Sequence, residues 1–289
     1  MIPCEIKRAN CRLVVVGFVV NFPFMNSFSD SSISKRSEME SGSQPLRTAD
    51  ATPHASALVE SLRDIGYSLD TALADIIDNS ITAGAKHIHL LADTLGDEPC
   101  VGILDDGSGM SEEDLIEAMR PGSKNPRMAR ESSDLGRFGL GLKSASFSQC
   151  RRMTVLTRKD GIIAGASWDL DRVAATNQWQ ITMHDNAEGV PWSERLIDDG
   201  TLVVWEKLDR LSGGIENDAT RRAAHINAAL SHAERHLTLV FHRFMEGVSA
   251  LKISVNGRVL APIDPFASKH PKTQKDPEDT LALPGGTSR

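Results

Sequence analysis

The chain has 289 residues with 40% apolar and 25% charged content, an ordinary balance for a soluble globular protein and enough length for one large domain or two modest ones. Net charge is −7, so no global basic field indicates a nucleic-acid partner, although a local basic surface stays open. Cys4, Cys11, Cys100 and Cys150 form no CxxC pair, so neither a zinc site nor a disulfide framework is indicated, and a reducing cytoplasm is the simplest location.

Residues 1–53 read as a disordered or non-structural extension. Lys7, Arg8 and Arg12 precede the apolar run 13–20, which resembles the first two regions of a signal peptide. The run is too short to span a bilayer as a helix, and no small-x-small cleavage site closely follows it. No membrane association is expected. Residues 26–53 are serine-rich and poor in apolar groups. Two readings stand: an upstream start misassigned ahead of Met39, or a genuine signal or anchor.

Residues 55–65 have helical apolar spacing, and Gly66 stops them. Ser68 is expected to cap a helix over 69–83, ended by Gly84. Residues 86–92 alternate as a strand, and 99–104 form a second strand running into an acidic glycine turn. Ser111, followed by Glu112, Glu113 and Asp114, caps a helix reaching about Met119. Residues 120–135 are polar, and a loop of this length inside a compact domain is usually a functional lid. A helix is expected at 139–149, strands at 152–158, 161–168, 178–184 and 201–206, and mostly helix over 216–245. Residues 251–260 read as a β-hairpin turning at Asn256-Gly257. This order predicts an α+β two-layer sandwich over 54–245 rather than a doubly wound sheet, with 246–289 opening a partial second domain and ending in a polar tail.

Three segments carry the chemistry. Asp75, Asp78 and Asn79 lie at i, i+3 and i+4 on a helix whose apolar face is Ala74, Ile76, Ile77 and Ile81. An amide oxygen beside a carboxylate suits Mg²⁺ and water activation; a solvated helix face is the plainer alternative. Asp105 ends an apolar strand, and Gly107 and Gly109 let the chain turn close to a ligand. A carboxylate there can accept from an exocyclic amine such as that of adenine. An ordinary Asp-Gly turn is the rival, and a calcium loop lacks its later glutamate. Gly136, Gly139 and Gly141 with Lys143 form a glycine-rich turn at a helix start, where backbone N–H groups and the dipole favour phosphate. It is neither a Walker A loop nor a Rossmann fingerprint. Each segment alone is weak; the three together within 70–144 suggest one nucleotide pocket. The nine histidines have no metal spacing, and the four tryptophans read as core.

The set resembles the GHKL ATPase superfamily of gyrase B, heat-shock chaperone ATPases, MutL, histidine kinases and the MORC proteins, with an overall flavour of bacterial MORC-like or MutL-like ATPases. Asn79 stands at the Asn of that superfamily's E-x-x-x-N helix. Residues 105–109 look like its D-x-G-x-G box, residues 136–143 like its G-x-x-G-x-G box, and residues 200–205 like its later Gly-Thr strand. The resemblance covers about residues 55–210, and more loosely the hairpin after 250. It implies a Bergerat-type ATP-binding fold, with ATP and Mg²⁺ as cofactors. Asn79 would hold the metal. Asp105 and Thr201 would read adenine, beside Gly107, Gly109 and Met110. Gly136, Arg137, Phe138, Gly139 and Gly141 would lie at the phosphates with Lys143 nearby, and residues 111–135 would form the lid. Most hydrolysing members carry Glu as general base; the matching residue here is Asp75, one methylene shorter. The superfamily's distal transducer lysine is not placed by this sequence.

The function expected is slow, Mg²⁺-dependent ATP hydrolysis coupled to lid closure and to conformational change or nucleotide-dependent homodimerisation, with a protein client the sequence does not name. A histidine kinase catalytic domain is disfavoured, because no phosphoacceptor helix pair precedes the pocket. A nucleotide-sensing module that binds without turnover remains the alternative.

Overall fold

The computed structural model describes residues 48–64, 66–122 and 141–274. The expectations for residues 1–47, for Gly136, Arg137, Phe138 and Gly139, and for the lid beyond residue 122 therefore lie outside the described residues.

The elements run α1 (Ala55–Arg63), α2 (Leu69–Thr82), β1 (His87–Asp93), β2 (Cys100–Asp105), α3 (Glu112–Met119), α4 (Gly141–Phe147), β3 (Arg152–Lys159), β4 (Ile162–Asp169), α5 (Leu170–Thr176), β5 (Thr182–His184), β6 (Gly200–Glu206), α6 (Ala219–Val240), β7 (Lys252–Val255) and β8 (Arg258–Val259). Among the described residues, eight strands form one sheet in the order β5-β4-β3-β6-β2-β1-β7-β8. Every pairing is antiparallel except β1 with β7. The mixed α/β architecture is the expected α+β sandwich.

Period-2 alternation explains the layering. Ile88 and Leu90 of β1, Val101 and Ile103 of β2, Met153 and Val155 of β3, and Val203 and Trp205 of β6 pack in one core with apolar residues of all six helices. The intervening Leu91, Leu104, Leu156, Leu202 and Val204 form a smaller cluster with Val190, Leu196 and Trp192. That second face is therefore covered by an irregular segment. Gly102 makes room for it: a Cβ there would lie 2.7 Å from the Trp192 ring.

α2 is the element that matters most for the site. Its Leu73, Ile76 and Ile77 are buried in the main core, each worth about 1.5–3 kcal/mol of transfer free energy. Ser68 occupies the expected N-cap position, but its hydroxyl turns to Asp70 and to Thr71 Oγ1 rather than to a helix amide. The Ser111 cap on α3 is a full capping box with Asp114.

Two elements differ from the sequence expectation. The strand expected over 178–184 contracts to Thr182–His184, and α5 precedes it. Asp169 starts that helix by accepting from the Asp171 and Arg172 amides, a cap signal hidden behind the apolar alternation of β4. The 251–260 segment does form a hairpin, with Asn256 and Gly257 both at positive φ. Its first strand lies against β1, so the hairpin extends the same sheet.

Candidate functional site

α2 carries the first motif across the sheet at a fixed height. Ser80, on its buried stripe, donates to Asp105 Oδ2 at 2.7 Å. Asp105 is the last residue of β2 and is buried. Its Oδ1 accepts the Gly107 amide at 2.9 Å. Burial pushes its carboxyl above the ordinary carboxylate range, against hydrogen bonds from Ser80, Gly107 and Thr201 that pull it down. An acceptor-rich group thus ends a strand in a desolvated place, where one more donor would be strongly held.

The second aspartate has a different job. Asp106 accepts the Lys86 amide at 2.7 Å, the His87 amide at 2.8 Å and the His87 ring Nδ1 at 2.7 Å. Burial pushes its carboxyl up, but the His87 and Lys86 hydrogen bonds outweigh that and hold it below the ordinary range. It pins the glycine turn to the start of β1 and leaves Asp105 as the inward group.

Two glycines allow the turn to close. Gly109 sits at φ 61°, and a Cβ there would lie 1.9 Å from the Arg158 carbonyl oxygen. Gly200 lets β6 begin against Asp105, since a Cβ there would lie 2.1 Å from the Asp105 carbonyl oxygen. Thr201 is the register partner of Asp105 across β2 and β6. Thr157 of β3 links the parts. Its Oγ1 donates to the Gly200 carbonyl at 3.0 Å, accepts the Met110 amide at 2.8 Å and lies 3.5 Å from Thr201 Oγ1.

On the other side of α2, Asp75 Oδ2 lies 3.4 Å from where a Cβ of Gly141 would be. Gly141 opens α4, the only part of the glycine loop's resemblance box described besides Leu142 and Lys143. Asp75 Oδ2 also accepts the Tyr67 hydroxyl at 2.8 Å. Asp78 is half-buried, and its carboxyl is raised by burial and then by the neighbouring Asp75 charge. Asn79 is exposed, and its side-chain amide has no hydrogen-bond partner among the described residues.

Lys143 is buried, and its Nζ donates to the Ala118 carbonyl oxygen at 2.8 Å, at the C-terminal turn of α3.

Asp75, Asn79, Asp105, Gly107, Gly109, Met110, Gly141 and Thr201 thus come from separate segments that α2, β2, β6 and α4 bring into contact. A different cleft, of about 430 Å³, opens at the N-terminal end of α2 among Arg63, Tyr67, Ser68, Gln149, Arg210 and His225. None of the predicted site residues lines it.

Residues 67–197 match the family model described as "Histidine kinase-, DNA gyrase B-, and HSP90-like ATPase". Over these residues the chain matches a GHKL-type ATPase domain. This GHKL-type domain is 36% identical over 93 residues to the ATPase morc-1 of Caenorhabditis elegans, a stretch covering 32% of this chain and 10% of that protein. It is 33% identical over 96 residues to ATPase MORC2B of Mus musculus, covering 32% and 9%. It is 33% identical over 92 residues to ATPase MORC2 of Homo sapiens, covering 31% and 9%. The chain spans about a tenth of the length of the curated relatives it matches. Among the described residues no helix is long and apolar enough to cross a membrane, and no cluster of His, Cys, Asp and Glu of metal-binding geometry stands preformed.

Three residues that hydrogen-bond the predicted site residues were not among those predicted: Ser80, Thr157 and Tyr67. Ser80 was findable, because it follows Ile76 and Ile77 at i+4 and i+3 and so shares their buried stripe. Thr157 and Tyr67 carried no local signal; only strand register and tertiary contact place them.

Proposed function

We propose that this domain binds ATP with Mg²⁺ and hydrolyses it slowly, and that residues 111–135 close over the nucleotide as conformational change brings two copies together. The carrying observation is that one helix touches both other motifs, through Ser80 to Asp105 and through Asp75 to Gly141.

The roles follow from the chemistry of each group. The buried Asp105 carboxylate has remaining acceptor capacity for the exocyclic amine of adenine, with Thr201 beside it. The unpartnered Asn79 amide oxygen is a hard donor suited to Mg²⁺. It stands next to two carboxylates, Asp78 being raised by burial and then by the Asp75 charge, a pairing that a divalent cation relieves. When bound, magnesium supplies charge neutralisation for the phosphates. Asp75 accepts a proton from the water that attacks the γ-phosphorus. The bond from that phosphorus to the bridging oxygen breaks, and ADP and inorganic phosphate leave. Such transfer depends on positioning and electrostatics more than on covalent chemistry.

One observation favours a second reading, a module that senses ATP without turning it over: the base is an aspartate, one methylene shorter than glutamate. The two are separated by measuring phosphate release and ATP affinity on wild type and Asp75→Ala. Hydrolysis predicts intact binding and a loss of turnover of about 10²–10⁴-fold. A wild type that binds ATP and releases no phosphate identifies the sensor.

A further inference from the structure

Tyr67 is the chain's single tyrosine. It stands immediately before Ser68 at the entry to α2, eight residues ahead of Asp75. Its hydroxyl donates to Asp75 Oδ2 at 2.8 Å. The Tyr67 carbonyl oxygen accepts from Gln149 Nε2 at 3.2 Å, just past the end of α4, and the ring packs against the main core. The residue is therefore held at its backbone and along its ring before its hydroxyl meets the carboxylate.

We propose that Tyr67 is the positioning residue for the catalytic carboxylate: its phenol holds Asp75 Oδ2 against Gly141, so that Oδ1 is the oxygen left to take the proton from water. The proposal rests on the hydrolysis reading above. An aspartate that must do the work of a longer glutamate gains most from being fixed in one orientation. A free carboxylate presents two equivalent oxygens and rotates about its last bond. A donor on one oxygen removes that freedom and sets the direction of the other. Gly141 lies beside the held oxygen, its Cβ position 3.4 Å from Asp75 Oδ2. Tyr67 is thus distinct from Asp78, whose charge lies near Asp75 but which is an acceptor and gives it no hydrogen bond.

The phenol's own ionisation reports the contact. Burial raises it, and the Asp75 carboxylate raises it further. With one tyrosine in the chain, absorbance near the tyrosinate band follows this single group, because tryptophan does not titrate.

The test uses the full chain with ATP and Mg²⁺. Tyr67→Phe keeps the ring and removes only the hydroxyl. With the circular dichroism spectrum unchanged, kcat is expected to fall about tenfold while KM for ATP stays within about twofold. In parallel, Asp75→Asn is expected to move the tyrosine titration midpoint to lower pH. A hydrolysing wild type whose kcat is unaffected by Tyr67→Phe overturns the positioning role alone. A tyrosine titration that ignores Asp75→Asn also overturns it, even if Tyr67→Phe fails to fold. A wild type that binds ATP without turnover removes the hydrolysis reading and the catalytic role of the pair together.

Discussion

The Ser80 hydroxyl donates to Asp105 Oδ2 at 2.7 Å, joining the first acidic motif helix to the strand that ends at the glycine turn. Both groups are buried, so the bond operates where water does not compete. Ser80→Ala leaves a buried carboxylate oxygen short of a donor. A hydrogen bond to a charged group contributes about 1.5–3 kcal/mol. Thermal unfolding should drop by several degrees, at about 2–4 °C per kcal/mol for a domain of this size. Asp105→Asn should in addition weaken ATP binding roughly tenfold or more by calorimetry, with GTP a weak ligand of the wild type. Equal affinity of the wild type for ATP and GTP would remove the adenine role.

Asn79→Ala separates ligand binding from folding. The residue is exposed and its amide has no side-chain partner among the described residues, so stability should change by no more than about 0.5 kcal/mol. Mg²⁺-dependent ATP binding should be lost. Calorimetry with and without Mg²⁺ decides it; unchanged Mg²⁺-dependent affinity rules out the metal-holding role.

Asp78 gives a pH signature. Its carboxyl is raised in the folded state, by burial first and the Asp75 charge second. The native state therefore binds the extra proton in the window just above about pH 4, and stability is lost as pH rises through that window. In metal-free buffer, Asp78→Asn should unfold about 1–2 °C higher than wild type at pH 7, a modest gain because the group is only half-buried. The gain should fade as pH falls through about 4 and vanish near about pH 3, where Asp78 is protonated in both states. A gain independent of pH would mean that the charge is not its source.

Gly109→Ala tests the turn. The position combines φ 61° with a Cβ that would lie 1.9 Å from the Arg158 carbonyl oxygen. Neither the backbone conformation nor the backbone neighbour can give cheaply. The loss should exceed about 2 kcal/mol, visible as a fall of roughly 5 °C or more. A near-neutral change in the denaturation midpoint would show that this turn relaxes freely.

Local physics written into the chain determined much of this protein. Apolar spacing set α2, the Ser111–Asp114 box set the start of α3, and Asn256-Gly257 set the final hairpin, because each depends on neighbours a few residues away. The residue types of the site were equally legible: a carboxylate at a strand end, an amide on a helix, glycines where the chain must turn tightly. Tertiary structure decided what each group touches. Asp105 and Asp106 are adjacent and chemically identical. Only the placement of Ser80 and His87 makes one the buried inward acceptor and the other a pin for β1. That Lys143 reaches across to the Ala118 carbonyl of α3 is likewise invisible in its glycine motif. Tyr67 belongs to no motif, and its bond to Asp75 depends on how the chain enters α2. Side-chain partnership between distant segments is set by packing, and no window along the sequence contains it.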